Sequence, residues 1–204
     1  MEFEQFHTVA EHGWNSRVLH LYSHSGTHMD APLHFAAGDG TIDRIPLDRC
    51  LGPAWVADLA GCEPRALIGV ADLGPLAGKV RPGDGLLLRT GWSARVDQPQ
   101  IYRDDLPRIS RELAEWCVDR RVRLLGVEPP SVADVNNLEE VRVIHRILLG
   151  GGVIIVEGLT NLDALRHDRV FFGAVPLKID GGDGSPCRAF AFDGPADAFP
   201  WPAG

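Results

Sequence analysis

The sequence predicts an α/β fold in one domain: a mixed sheet with peripheral helices. Three observations carry that expectation. A chain of 204 residues can bury one large core without disulfide support. Apolar runs of strand length recur along it, whereas only two stretches hold a helical period. Its 23 glycines and 15 prolines cut it into short elements, yet no repeat or linker marks a boundary, so residues 1–204 read as a single domain.

Residues 52–59 (GPAWVADL) alternate, placing Trp55, Ala57 and Leu59 on one strand face and Val56 and Asp58 on the other. Pro82-Gly83-Asp84 is a turn signal into a second strand, 84–90. Ser110 caps a helix over 110–121, with Glu112 and Glu115 toward its positive end and Leu113, Trp116 and Cys117 as its apolar stripe. A buried strand follows at 124–127. Asn136 or Asn137 caps the second helix, 138–149, whose inner face is Val141, Ile144, His145 and Leu148. Gly150-Gly151-Gly152 stops it, and the apolar strand 153–156 ends at Glu157. Two β-runs, 170–179 and 187–192, flank the turn Gly181-Gly182-Asp183-Gly184.

Composition narrows the function. Asp and Glu number 28 against 20 Lys and Arg, for a net charge of -8, and no basic cluster exists. Nucleic acid and anionic membranes are poor partners for such a surface, so a small molecule is expected. No run reaches membrane-spanning length and no leader is evident, which points to a cytoplasmic protein. Cys50, Cys62, Cys117 and Cys187 are scattered, as inert thiols in a reducing compartment. Arg120, Arg121 and Arg123 read as a solvated helix end. The glycine-rich turn lacks the Lys and following helix of a phosphate loop. Ser25, Ser131 and Ser185 lack a nucleophile-elbow setting.

The informative stretch is 24–35, HSGTHMDAPLHF. His24, His28, Asp30 and His34 are all metal-ligand types, and Gly26 and Pro32 argue against a helix here. In an extended chain His28 and Asp30 share a face, roughly 7 Å apart, while His24 lies about 13 Å from His28 unless the chain bends at Gly26. Imidazole and carboxylate without thiolate suit zinc, manganese or ferrous iron. His145, taken alone, reads as a satisfied core histidine. Glu157, ending an apolar strand, would be an expensive unpaired charge.

The segment resembles the HxGTHxDxPxHF signature of the cyclase family, which includes bacterial kynurenine formamidases and isatin hydrolases. LLLRTGW (86–92), GVEPPSVADV (126–135), HRILLGGGVIIVEGLTNL (145–162) and VPLKIDGGDGSPCRAFA (175–191) extend the likeness over most of the chain from about residue 20. The resemblance implies a swivelling β/β/α fold, a homodimer and one or two divalent ions, zinc or manganese. It implies that His24, His28 and Asp30 hold one ion, that Asp30 bridges to a second held by His145 and Glu157, and that His34 is the acid/base residue. The chain departs from the family in a short segment before the signature, and in Glu128 where Asp is frequent. His12-Gly13-Trp14 offers an aromatic for the site, or for the core or an interface. The implied activity is hydrolysis of a small amide-type bond: an aryl formamide, lactam or cyclic imide. A non-hydrolytic cyclase or dehydratase using the same ions, and a non-catalytic metal-binding module, are the alternatives. No substrate-binding residue is assigned.

Overall fold

The computed structural model describes residues 2–194. Its strands are β1 (Glu2–His7), β2 (Ser16–His20), β3 (His28–Asp30), β4 (Leu51–Asp58), β5 (Leu67–Ile68), β6 (Gly85–Arg89), β7 (Arg108–Ile109), β8 (Leu124–Val127), β9 (Ile154–Glu157), β10 (Arg169–Pro176) and β11 (Gly184–Phe192). The helices are α1 (Val9–His12), α2 (Leu47–Cys50), α3 (Pro99–Asp104), α4 (Arg111–Asp119) and α5 (Leu138–Gly150), with short 3-10 turns between them.

The mixed sheet closes on itself. Seven strands form a barrel in the order β10-β11-β3-β9-β8-β6-β4. The run β4-β6-β8-β9 is parallel, and the other pairings are antiparallel. Alternation along each strand then separates two cores. Met29, Ala54, Val56, Leu87, Leu124, Val156 and Phe172 fill the interior. Leu86, Leu88, Leu125, Val127 and Ile155 face outward, under Leu113 and Cys117 of α4 and Ile144 and Leu148 of α5. Gly126 points inward, where a Cβ would lie 2.7 Å from both Leu87 and Leu159.

The helix caps follow the sequence. Ser110 Oγ accepts from Leu113 N at 3.1 Å, and Asn137 Oδ1 accepts from Glu140 N at 3.2 Å. The strand expected over 170–179 stops at Pro176, and its partner begins at Gly184 rather than 187. Pro32 opens a 3-10 turn, Pro32–Phe35, because proline at a first helical position removes no bond the turn needs. Among the described residues, the N-terminal hairpin β1–β2 pairs only with itself, and it carries exposed Phe3, Phe6, Val18 and Leu19. Trp14 belongs to this hairpin, 5.0 Å from the His7 ring, and does not line the metal cleft described below.

Arg123 corrects the expectation of a solvated arginine run. It lies one residue before β8, and its guanidinium enters the barrel end where β4, β6 and β8 begin. Nη1 donates to Arg49 O (2.7 Å), Nε to Gly83 O (3.2 Å) and Nη2 to Pro53 O (3.4 Å). Burial lowers its pKa to about 10, so it stays charged at neutral pH. The run looks uniform in sequence; the strand's start decides which arginine turns inward. Arg123→Ala should lower stability by at least about 3 kcal/mol, read from the urea midpoint, because three carbonyls lose their donor. A loss below about 1 kcal/mol would show that water satisfies them.

All four cysteines are free. Cys50 and Cys117 are buried, whereas Cys62 and Cys187 are only partly so. Burial pushes the Cys117 thiol up to about 12. In native protein near pH ~8, Ellman's reagent should leave Cys50 and Cys117 untouched, and unfolding should release both. Fast native labelling of either would contradict this packing.

Candidate metal centre

The centre is built on the outer face of the barrel, between β3, β9 and α5. Met29 points into the barrel, so its neighbours His28 and Asp30 point out. The antiparallel register sets His28 opposite Glu157 and Asp30 opposite Ile155. His145, on the buried stripe of α5, closes over them. Gly26, at φ 61, makes the bend that brings His24 back. Gly158 permits the approach of that bend, since a Cβ there would meet Gly26 O at 2.7 Å.

The donors converge. His28 Nε2 lies 3.3 Å from Glu157 Oε2 and 3.5 Å from Asp30 Oδ1. His145 Nε2 lies 3.3 Å from Glu157 Oε1 and 3.7 Å from Asp30 Oδ2. His24 Nδ1 is 2.9 Å from Asp30 Oδ1. Two overlapping groups therefore form, His24–His28–Asp30 and Asp30–His145–Glu157, with the donor atoms of each within 4.8 Å of one another. Asp30, His28, His145 and Glu157 are all buried.

The bonding around these groups fits a cation. His28 Nδ1–H donates to Gly26 O (2.9 Å) and His145 Nδ1–H to Val141 O (2.7 Å). Each ring thus presents Nε2 to the carboxylates, and two lone-pair systems facing each other need positive charge between them. Asp30 Oδ2 is buried without a hydrogen-bond partner among the described residues. Glu157 Oε1 is held from the other side by Val132 N at 2.8 Å.

The electrostatics carry the same demand. Burial opposes charge on His28, but the hydrogen bond and charge of Glu157, with Asp30 behind, raise its pKa to about 9. His145 is likewise raised by Glu157 and Asp30 against its burial. Burial opposes ionisation of Glu157, yet the two imidazoles hold its pKa well below the usual carboxylate range. Without a metal, protons supply the missing positive charge.

His34 is absent from both Asp30-containing groups. Its ring stacks on His24, with centroids 3.7 Å apart, and Nδ1 lies 3.5 Å from Asp183 Oδ2. Burial lowers its pKa despite nearby Asp30, so it is neutral at pH 7. Arg146 Nε donates to Phe35 O (3.1 Å), fastening this turn to α5. The Phe35 ring stacks on His145 at 4.3 Å.

Asp183 is the residue that sequence reading missed. The glycine-rich turn is a turn, as expected, but its aspartate reaches His24 Nε2 (3.1 Å) as well as His34, forming a third cluster. A signal was present in Gly184: it has no positive φ, and it is small because a Cβ would lie 2.6 Å from the His24 ring. Glu128 is not among the clustered donors. Its carboxylate is clamped by Gly91 N (2.5 Å), Ser93 Oγ (2.7 Å) and Thr90 Oγ1 (3.1 Å), which ties the RTGW strand end to the turn at 128–131.

A cleft of about 360 Å³ opens over the donors, walled by Tyr22, Phe35, Pro130, Val135 and Val141, with His28, His145 and Glu157 in its lining. That is room for one small organic molecule.

Comparison with known proteins agrees in sequence and shape. The Cyclase family model, described as "Putative cyclase", matches residues 2–134, well over half of the chain. A kynurenine formamidase from Salinibacter ruber is 33% identical over 183 residues, covering 89% of this chain and 81% of that protein. Isatin hydrolase A from Labrenzia aggregata, solved with benzyl benzoate, superposes with a TM-score of 0.85 at 25% identity, covering 93% of this chain and 82% of that one. An isatin hydrolase bound to the product analogue thioisatinate gives 0.83 at 25% identity, covering 93% of this chain and 80% of that one.

Proposed function

This chain belongs to the Cyclase family, and from that membership and its donor cluster we propose that it is a metal-dependent hydrolase of a small amide-type substrate. Aryl formamides, lactams and cyclic imides are the substrate classes. The carrying observation is the buried Asp30 carboxylate, whose Oδ2 has no hydrogen-bond partner among the described residues, set beside two imidazoles locked by their Nδ1–H bonds.

His24, His28 and Asp30 would hold one divalent ion, and Asp30, His145 and Glu157 a second; zinc or manganese suits these donors. Such ions, when bound, supply Lewis acidity and a readily ionised water. The chain's residues do the rest. Gly26 O, Val141 O and Val132 N orient His28, His145 and Glu157. Phe35, Pro130, Val135 and Val141 give the cleft an apolar wall that limits bulk water. His34, neutral at pH 7, accepts the proton of the attacking water and delivers it to the leaving nitrogen. Asp183 fixes its ring by contact at Nδ1.

The working molecule is a homodimer, an assignment supported by the exposed apolar residues Phe3, Phe6, Trp14 and Leu19 of the hairpin. Free thiols fit a cytoplasmic setting. No helix among the described residues is long and apolar enough to cross a membrane.

The test is a hydrolysis panel of an aryl formamide, isatin and a cyclic imide, run with and without added zinc or manganese in ¹⁸O-labelled water. Metal-dependent turnover with label in the product acid is expected. Product without label would overturn hydrolysis in favour of a cyclase or dehydratase, and binding without turnover would leave a metal-binding module.

A further inference from the structure

Among the described residues lining the metal cleft, Arg103 is the one arginine or lysine. It sits at the end of α3, one position after Tyr102, whose hydroxyl donates to Glu128 O (2.7 Å) and whose carbonyl accepts from Trp92 Nε1 (2.9 Å). The backbone that carries it is thereby tied to the turn at 128–131, which also lines the cleft.

We propose that Arg103 selects substrates bearing an anionic group, a carboxylate most directly, through the Nε–Nη2 edge of its guanidinium. The proposal rests on the hydrolase reading above. Its Nη1 corner is engaged by Asp104 and by Asn136 Oδ1 at 3.2 Å, and Asn136 Nδ2 in turn steadies Asp104 at 3.2 Å. Nε and Nη2 have no partner among the described residues. The Nη1 contacts therefore hold the side chain in place and leave free the edge that pairs bidentately with a carboxylate. The pair with Asp104 carries small energetic weight, since the two side chains are 56% and 31% exposed.

The surroundings show why a cation is useful there. The protein carries a net charge of -8, and Glu157 lines the same cleft. A carboxylate gains a charge-assisted bidentate pair from the free edge of Arg103, whereas a neutral amide gains at most an ordinary hydrogen bond. Tyr22, Phe35 and Val141 in the same lining offer apolar surface to a ring. A single-ring aryl amide with an acidic substituent uses both the guanidinium and the apolar lining.

Two formamides with the same scissile bond test this: N-formylanthranilate, which carries a carboxylate, and formanilide, which does not. Arg103→Ala should lose about tenfold or more in kcat/KM on the anionic compound relative to the neutral one, chiefly through KM, and Arg103→Lys should recover part of it. Equal losses on both compounds would overturn the role of Arg103 and leave the hydrolase reading standing. Equilibrium binding of benzoate and benzamide to the metal-free protein, followed by NMR titration, reads the same preference without turnover. If neither formamide is cleaved, and isatin and the cyclic imide resist as well, the hydrolase reading fails. A benzoate preference of about fivefold or more that disappears in Arg103→Ala would then still support the arginine, and its absence would overturn it.

Discussion

Asp30→Asn should strip the protein of divalent metal and of hydrolytic activity together. Asparagine keeps the volume and one carbonyl oxygen, so Met29 still packs into the barrel and β3 still pairs with β9 and β11. What disappears is the negative charge common to both donor groups. An amide nitrogen facing His28 or His145 offers no lone pair to a cation. Metal content after purification without chelator should fall below about a tenth of wild type, and turnover by at least about 10³-fold. Stability supplies a readout independent of substrate. Metal at 100 times its Kd stabilises the native state by about 2.7 kcal/mol. For a chain of this size that raises Tm by roughly 5–11 °C, and the Asn variant should lose most of the gain. Full metal retention would place the ions elsewhere.

His34→Ala should behave in the opposite way, keeping its metal while kcat falls by about 10²–10⁴-fold. His34 touches the donor set by stacking on His24 and through Asp183, but it is absent from both Asp30-containing groups. The burial that lowers its pKa keeps the ring neutral and able to accept a proton near neutrality. Amide-type substrates depend on that relay because the nitrogen leaves poorly as an anion. Asp183→Asn should produce a smaller version of the same defect, about tenfold in kcat, with metal content near wild type. Metal loss in His34→Ala would make His34 a ligand, and near-normal turnover would make it a bystander.

The resemblance and local chemistry made much of this centre legible. The alternation of HMD placed His28 and Asp30 on one face, and the β3 register shows that face to be outward. Gly26 was the recognisable point for a bend, and the bend brings His24 Nδ1 to 2.9 Å from Asp30. His145 on its helical stripe and Glu157 at the end of an apolar strand were each ambiguous alone. A buried carboxylate without a neighbour was the clue, and the neighbour lies across strands.

The sequence by itself determined the elements and their faces, because alternation, caps and turn residues act over a few positions. It determined the α/β class, both long helices and the Ser110 cap, and left Asn136 and Asn137 as alternatives for the second cap, between which the fold chose Asn137. Only the tertiary structure decided that the sheet closes into a barrel, that Arg123 caps its interior while its neighbours do not, and that Asp183 joins His24 and His34. It alone set Glu157 opposite His28 and brought Arg103 to the cleft. These are long-range choices. Strand register and barrel closure are set by which apolar faces can be buried together, and every local pattern is compatible with several such pairings until the whole core is packed.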